Sequence, residues 1–216
     1  ETWAQHVLKI AIQDLLRLVG PDGLPQRPLL LDAGCGQGKS FALLQQAFDP
    51  RLIIGVDVDP RNLEFSGRVV AAGNLPVELR KNSCAALELD DASVDIVFCH
   101  QTFHHLVDQH AALAEFHRVL KPGGLLLFAE STRAYIHSWM IRLLFRHPMD
   151  VQRSADEYLD MLRRQGFRFE AHNVSLPYLW WSRPDLGAVE FFGFGVPAKR
   201  EETLVNVAAR KPFAQP

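Results

Sequence analysis

The chain has few cysteines, little net charge and no long apolar segment. Its three cysteines are an odd number without the CxxC spacing of zinc sites, which argues against a disulfide framework and favours a reducing cytoplasm. A formal charge of −2 and a pI near 6.5 provide no basic field for nucleic acid. No apolar segment reaches the length of a membrane span. Residues 1–20 have the pattern of an N-terminal amphipathic helix rather than of a signal peptide.

Short apolar segments alternate with helix signals along the chain. With 216 residues, of which 48% are apolar, we expect a single α/β domain over residues 1–216. Continuous apolar segments predict strands covered on both faces at 29–31, 52–56, 94–99 and 125–128, with further strands at 77–80, 167–174 and 203–209. Capping residues predict helices that begin after Asp59, Asp108 and Ser154. The helix after Asp108 should stop at the Lys-Pro-Gly-Gly segment, residues 121–124.

A glycine-rich turn follows the first strand, in the segment LLLDAGCGQGKSFALL at residues 29–44. A glycine turn that opens a helix leaves backbone N–H groups available and lets a ligand approach the backbone without Cβ clashes. The dinucleotide fingerprint G-x-G-x-x-G is broken, because Lys39 stands at the third position after Gly36. The turn therefore indicates a ligand cradle of another kind.

Two further patterns fit this turn. A phosphate loop of the type G-x-x-x-x-G-K-[ST] is nearly present, since Gly38, Lys39 and Ser40 match its end and Ala33 replaces its first glycine. The second pattern, acidic-x-G-x-G-x-G, begins at Asp32 and suits a cationic ligand without phosphates. A carboxylate at this position would repel a triphosphate and attract an ammonium or sulfonium group.

An acidic residue also ends the second predicted strand. Asp57 lies about twenty residues beyond the glycines, where acidic side chains accept hydrogen bonds from ribose hydroxyls in α/β nucleoside sites. This position favours a nucleoside held through its sugar, and hence the acidic glycine pattern over the phosphate loop.

The segments LLLDAGCGQG, LIIGVDVDP, DDASVDIVFCHQTFHHL and EFHRVLKPGG occur in this order between residues 29 and 124. In this order and spacing the chain resembles the class I S-adenosylmethionine-dependent methyltransferases, particularly the small-molecule enzymes that include ubiquinone and menaquinone methyltransferases. The resemblance implies a Rossmann-like, doubly wound, seven-stranded sheet in the order 3-2-1-4-5-7-6, with the last strand antiparallel and helices on both faces. It also implies S-adenosylmethionine as cofactor and S-adenosylhomocysteine as product, and it leaves the oligomeric state open.

The resemblance assigns cofactor-binding roles by position. The glycine turn would contact the methionine part of the cofactor. Asp57 would bind the ribose, and Val58 would pack against the adenine. Ser83 stands where many relatives have an aspartate that contacts the adenine amino group, and the Cys84 N–H would meet the adenine ring. Backbone carbonyls around His100 would receive the methionine amino group. The implied set is Asp32, Gly34, Cys35, Gly36, Gly38, Asp57, Val58, Ser83, Cys84 and His100.

Three histidines follow the fourth predicted strand, at the end of the sheet where open α/β folds bind ligands. His100 and His104 are candidates for a general base or a substrate-orienting group, and Glu130 reaches the same edge from the fifth strand. The two histidines are four residues apart and could ligate a metal, but no carboxylate or cysteine completes such a site, and we predict none. Structural packing is the remaining alternative.

Two segments, residues 132–153 and 177–200, are expected as insertions that cover an acceptor pocket. The first repeats Ile136, Met140 and Leu144 on one helical face, with Trp139 and Leu143 adjoining, and its four arginines offer weak contact with an anionic membrane as an alternative. The second contains Tyr178, Trp180, Trp181, Phe191, Phe192 and Phe194. We therefore predict methyl transfer to a small apolar or aromatic metabolite. The alternatives are a P-loop nucleotide-binding protein or hydrolase that uses Lys39 and Ser40, and a module that only binds the cofactor.

Overall fold

The computed structural model describes residues 3–21, 23–144, 151–177, 179, 188–195 and 202–213. Its seven strands form one sheet in the order β3-β2-β1-β4-β5-β7-β6, which confirms the predicted order. Strands β1 to β5 are parallel to one another, and β7 is antiparallel to both β5 and β6. The strands are β1 Leu29–Ala33, β2 Leu52–Asp57, β3 Val77–Lys81, β4 Val94–His100, β5 Leu120–Ser131, β6 Val174–Ser175 and β7 Leu204–Arg210.

The helices begin where the capping residues predict. The Asp59 carboxylate accepts the Arg61 N–H, and the Asp108 carboxylate accepts the Ala111 N–H. Ser154 and Glu157 form a reciprocal capping box at the start of α7. Within the described part of the chain, no helix has both the length and the apolar character needed to cross a membrane. The helices are α1 Trp3–Val19, α2 Phe41–Phe48, α3 Pro60–Gly73, α4 Gln109–Val119, α5 Arg133–Ile136, α6 Trp139–Leu144, α7 Ala155–Arg164 and α8 Ala188–Phe191.

The central strands are apolar on both sides because helices cover both faces of the sheet. Alternate residues separate into two buried clusters. Leu31 and Val97 pack with α4 and α7, while Leu30 and Ile96 pack with α1 and α2. Full burial of each such side chain contributes about 1.5–3 kcal/mol. This two-sided core brings the carboxyl ends of β1, β2, β4 and β5 to one edge of the sheet.

Two strand predictions were wrong in extent. β5 begins at Leu120 rather than residue 125, and its register with β4 shifts between Val94 and Ile96, so the Lys-Pro-Gly-Gly segment is an irregular part of the strand. The predicted strand over 167–174 pairs as a strand only from Val174, with one isolated bridge at residue 168. Residues 171–173 instead form a 3-10 turn, because Asn173 bonds back to residue 170 through its side chain and its backbone.

The first insertion contains the expected helical structure, divided into α5 and α6. Ile136 and Ile141 are buried, whereas Leu143 is 77% exposed. Residues 145–150 and the side chains of Trp139, Met140 and Leu144 lie outside the described residues, as do Tyr178, Trp180 and Trp181. The three phenylalanines of the second insertion are exposed: Phe191, Phe192 and Phe194.

Candidate cofactor site

The glycine turn between β1 and α2 is closed by its own backbone. Gly34, Gly36 and Gly38 have φ angles of 79°, 52° and 73°, in the left-handed region that favours glycine. The N–H groups of Gly34 and Cys35 both donate to the Val56 carbonyl at 2.9 Å, and the Gly38 N–H donates to the Cys35 carbonyl at 3.0 Å. The turn is thereby joined to the end of β2.

The three glycines serve different purposes. A Cβ on Gly34 would lie 2.2 Å from the Thr102 side chain, and one on Gly38 would lie 2.7 Å from the Phe41 ring. A Cβ on Gly36 would meet no atom within 4 Å. Gly34 and Gly38 therefore permit close packing within the protein, whereas Gly36 borders open space that a ligand can enter.

Asp57 is held against this turn by three donors. One carboxylate oxygen accepts the Gly36 N–H at 2.9 Å, and the other accepts the Asp59 N–H at 2.8 Å and the Asn62 amide at 3.3 Å. A carboxylate has about four acceptor sites, and these three donors leave one of them, on the oxygen that faces Gly36, for a ligand hydroxyl. The next residue, Val58, is 63% exposed.

Asp32 is a buried carboxyl at the base of the turn. It is 3% exposed, and it accepts a hydrogen bond from the Ser40 hydroxyl. Burial raises its pKa to about 7; the Ser40 hydroxyl acts to lower this pKa, and the Asp57 carboxylate acts to raise it. A cation bound nearby would favour the charged form of Asp32.

The open side of the turn forms a cleft of about 380 Å³. It brings together five predicted residues, namely Asp32, Gly34, Cys35, Gly36 and His100, while Asp57 adjoins the cleft through Gly36. Sequence reasoning missed the other cleft residues. Asn62 had a usable signal, since it stands in the first turn of the helix that follows Asp57. The lining residues without a sequence signal are Leu8, Gln37 and Phe98, and the lining also includes Lys39 and Ser40 of the phosphate-loop alternative.

Ser83 and Cys84 are not among the residues that line the cleft. The Ser83 hydroxyl accepts the Ala85 N–H at 3.2 Å within its own turn. Cys84 is buried, and burial together with the nearby carboxylates raises the pKa of its thiol to about 12. The preceding residue, Asn82, donates its N–H to the Asp57 carbonyl at 3.1 Å, which places this turn beside the end of β2.

The turn does not offer its N–H groups as a phosphate loop does. A phosphate loop directs successive backbone N–H groups at the phosphates. Here the N–H groups of Gly34, Cys35 and Gly38 donate to carbonyls, and that of Gly36 donates to a carboxylate. The Ser40 hydroxyl also donates to a carboxylate. The geometry gives no support to the phosphate-loop alternative.

His100 lies between the cleft and a second, apolar pocket. Its ring stacks against Phe98, with the ring centres 6.0 Å apart and the planes 8° apart. Burial lowers the pKa of His100 to about 4, with Glu130 acting to raise it and His104 to lower it, so the ring is neutral near pH 7. The second pocket measures about 180 Å³ and is lined by Val7, Ile10, Ala11, His100, Gln101, Ala129, Pro177, Leu179, Leu204 and Asn206.

The other two catalytic candidates lie behind the loop that follows β4. Glu130 is fully buried and His104 is 3% exposed, and their side chains meet at 2.7 Å. Burial acts to raise the pKa of Glu130, but the His104 contact and two backbone N–H bonds outweigh it and lower this pKa. Neither side chain lines the cleft, which favours a positioning role over contact with a substrate. Among the described residues, no group of three or more His, Cys, Asp or Glu is arranged to hold a metal ion.

Comparison with known proteins gives the family context. The family described as Methyltransferase domain matches residues 31–128. A probable S-adenosylmethionine-dependent methyltransferase of Mycolicibacterium smegmatis is 38% identical over 104 residues, which cover 48% of this chain and 38% of that protein. The O-methyltransferase cnsE of Penicillium expansum is 30% identical over 174 residues, which cover 76% of this chain and 61% of that protein.

The chain thus spans 38% and 61% of the length of these two curated relatives. A solved structure, that of the [4+2]-cyclase SpnF, shares the fold with a TM-score of 0.71 and 19% identity, covering 99% of this chain and 85% of that chain. The narrower resemblance to ubiquinone and menaquinone methyltransferases stays a prediction. The matched domain, the relatives and the sheet order together make this chain similar to the class I S-adenosylmethionine-dependent methyltransferases.

Proposed function

We propose that this protein binds S-adenosylmethionine in the cleft and transfers the methyl group to a small acceptor with an apolar or aromatic body. The observation that carries the proposal is the Asp57 carboxylate, which accepts the N–H of Gly36, a residue that lines the cleft together with His100. A carboxylate at this position of an α/β sheet accepts ribose hydroxyls.

The residues of the cleft fit the chemistry of this cofactor. Asp57 would receive the ribose, and Asp32 is a buried carboxyl whose charged form a cationic ligand would stabilise. The open space in front of Gly36 lets a ligand approach the backbone. When bound, the cofactor supplies an electrophilic methyl group on sulfur, so the protein mainly has to align an acceptor with it and exclude water.

The apolar pocket beside His100 is our proposed acceptor site. Its volume of about 180 Å³ accommodates a single aromatic ring, since an apolar cavity of about 150 Å³ is known to hold benzene. His100 is neutral near pH 7 and can accept a hydrogen bond from an acceptor hydroxyl, which orients that oxygen toward the cleft. An O-methyltransferase among the relatives also supports an oxygen acceptor.

Isothermal titration calorimetry tests the cofactor assignment directly. We expect S-adenosylmethionine and S-adenosylhomocysteine to bind, whereas ATP with magnesium should not. Asp57→Ala should weaken binding of both adenosyl ligands by about 1–3 kcal/mol, because hydrogen bonds to a charged acceptor are lost. Lys39→Ala is the matched control inside the cleft and should change binding little, because the ligand has no phosphate. The reverse ranking, with tight ATP binding, would contradict the proposal.

Binding alone would not establish methyl transfer, because a cyclase shares this fold. Methyl-labelled cofactor should therefore be incubated with a panel of monocyclic phenols and hydroxylated aromatic acids, and label transfer to product measured. We expect transfer to at least one hydroxylated acceptor. Cofactor binding without transfer to that panel or to a metabolite extract would instead indicate a module that only binds the cofactor.

A further inference from the structure

We propose that Glu130 is a positioning residue that acts through Thr102 to hold the glycine turn in its binding conformation. The inference rests on the proposed function, because the ligand of the turn is taken to be the adenosyl cofactor. The Glu130 carboxylate does not line the cleft. It stands at the end of β5, and the loop that follows β4 lies between it and the glycine turn.

The Glu130 carboxylate gathers four donors from that loop and from β4. One oxygen accepts the N–H groups of Thr102 at 2.8 Å and Phe103 at 2.7 Å, and the Cys99 thiol lies 3.6 Å from the same oxygen. The other oxygen meets His104 Nδ1 at 2.7 Å. Glu130 is fully buried, and burial of a charged carboxylate costs free energy unless hydrogen bonds compensate it. Because the loop after β4 provides most of these bonds, they hold the loop in one conformation.

Thr102 carries this restraint to the glycine turn. Its hydroxyl lies 3.2 Å from the Gly34 carbonyl and 3.2 Å from the His100 carbonyl, and it can donate its single proton to either one. The Thr102 side chain also occupies the space where a Cβ on Gly34 would stand, only 2.2 Å away. One side chain therefore sets the position of the turn and contacts the backbone of His100.

The backbone beside Thr102 shows why such a restraint is needed. Gln101 has a φ angle of 51°, in the left-handed region that is unfavourable for a residue with a Cβ. Strained residues of this kind persist where the surroundings hold them. The Gln101 N–H donates to the Ala129 carbonyl at 3.0 Å, and the next two N–H groups along the chain are those held by Glu130.

Amide hydrogen exchange on the cofactor-free protein tests the first step of this relay. In Glu130→Gln we expect exchange to accelerate about tenfold at residues 101–105 and also at residues 34–38, because one amide oxygen replaces two charged acceptors. Asp95→Asn is the matched control, since the Asp95 carboxylate also accepts a backbone N–H, that of Leu29 at 2.9 Å, at the opposite edge of the sheet. That control should leave exchange at 34–38 unchanged.

Calorimetry with S-adenosylhomocysteine tests the second step. We expect Glu130→Gln and Thr102→Val each to weaken binding about tenfold, and the double variant to be no weaker than the worse single variant, because both remove one restraint. Thr102→Ser keeps the hydroxyl and should bind within about threefold of the wild type. Asp95→Asn should bind like the wild type even where its melting temperature falls.

Several results would overturn the relay. Additive losses in the double variant would show that the two residues act separately, and unchanged exchange at 34–38 in Glu130→Gln would show that the turn does not depend on Glu130. If Glu130→Gln fails to fold, equal affinities of Thr102→Val and Thr102→Ser would refute the relay. Failure of the wild type to bind S-adenosylhomocysteine would reject the proposed function instead, and the exchange data alone would then decide whether Glu130 holds the turn.

Discussion

At the scale of single residues, Asp32 stands out because its environment opposes its charge. The carboxyl is buried beside the glycine turn with one hydroxyl donor and with the Asp57 carboxylate nearby. Burial lifts its pKa from 3.8 to about 7 in the folded protein. A carboxyl with so strongly raised a pKa, in the lining of a cleft, is a candidate for binding a ligand.

The raised pKa of Asp32 predicts a dependence of stability on pH. Between about pH 4 and pH 7 the unfolded chain ionises this carboxyl while the folded chain keeps its proton, so the free energy of unfolding falls as pH rises, by up to about 4 kcal/mol in all. Above pH 7 this contribution stays constant. We therefore expect Asp32→Asn to be more stable than the wild type at pH 8 and to lose that advantage toward pH 4.5, as measured by urea unfolding.

The same substitution should harm cofactor binding. Asp32→Asn should bind S-adenosylmethionine less tightly at pH 8, because a neutral amide does not attract the cationic ligand. Asp90→Asn, at an exposed position outside the cleft, is the control and should bind normally. An Asp32→Asn variant that is less stable at pH 8 and binds with wild-type affinity would contradict this account of the residue.

At the scale of elements, the glycine turn predicts two different phenotypes for two similar changes. Gly34→Ala should lower the free energy of unfolding by about 2–4 kcal/mol, because its Cβ collides with Thr102 and its φ angle is positive. Gly36→Ala should cost only about 1–2 kcal/mol from its φ angle, but it should weaken cofactor binding, because its Cβ enters the open space of the cleft. Thermal unfolding and calorimetry measure the two effects separately, and equal loss of stability would refute the distinction.

Local signals were sufficient to predict most elements of the fold. Buried parallel strands appear as continuous apolar segments, and the caps at Asp59, Asp108 and Ser154 each start a helix in the structure. The extent of β5 could not be read locally, because its first residues pair with β4 through an irregular register. The prediction of a strand over 167–174 was wrong because the Asn173 side chain accepts the N–H of residue 170, which stabilises a turn there.

The candidate site was predictable only where its residues are close in sequence to a strand end. Asp32, Gly36 and His100 lie at or just after the ends of buried strands, and they line the cleft. Glu130 also ends a strand, yet it is buried, because the loop after β4 folds over it. The role of Thr102 could not be predicted from local sequence patterns, because its contact with Gly34 joins residues 68 positions apart.

At the scale of the whole molecule, α1 borders both cavities. Leu8 lines the cleft, while Val7 and Ile10 line the apolar pocket. The helix is tied to the sheet by the Asn206 amide, which donates to the Asp14 carboxylate at 2.8 Å. A change on α1 can therefore alter one cavity without the other.

Filling the apolar pocket should separate acceptor binding from cofactor binding. Val7→Phe should lower kcat/KM for the methyl acceptor about tenfold by occupying the pocket, while the Kd for S-adenosylhomocysteine stays within about twofold. Phe192→Ala, in the second predicted insertion, is the comparison. Loss of methyl transfer in Phe192→Ala with none in Val7→Phe would place the acceptor under that insertion instead.

Among the residues that the structure describes, the linings of the cleft and the apolar pocket have one residue in common, His100. The cofactor in the cleft and the acceptor in the apolar pocket would both contact His100, each from its own cavity. Either ligand could therefore bind or dissociate while the other stays bound. We expect random-order kinetics, in which the acceptor binds the cofactor-free protein and spent cofactor departs while the methylated product is still bound. Equilibrium isotope exchange that remains uninhibited at saturating concentrations of either substrate is the corresponding kinetic signature, and suppression by saturating acceptor would indicate a compulsory order.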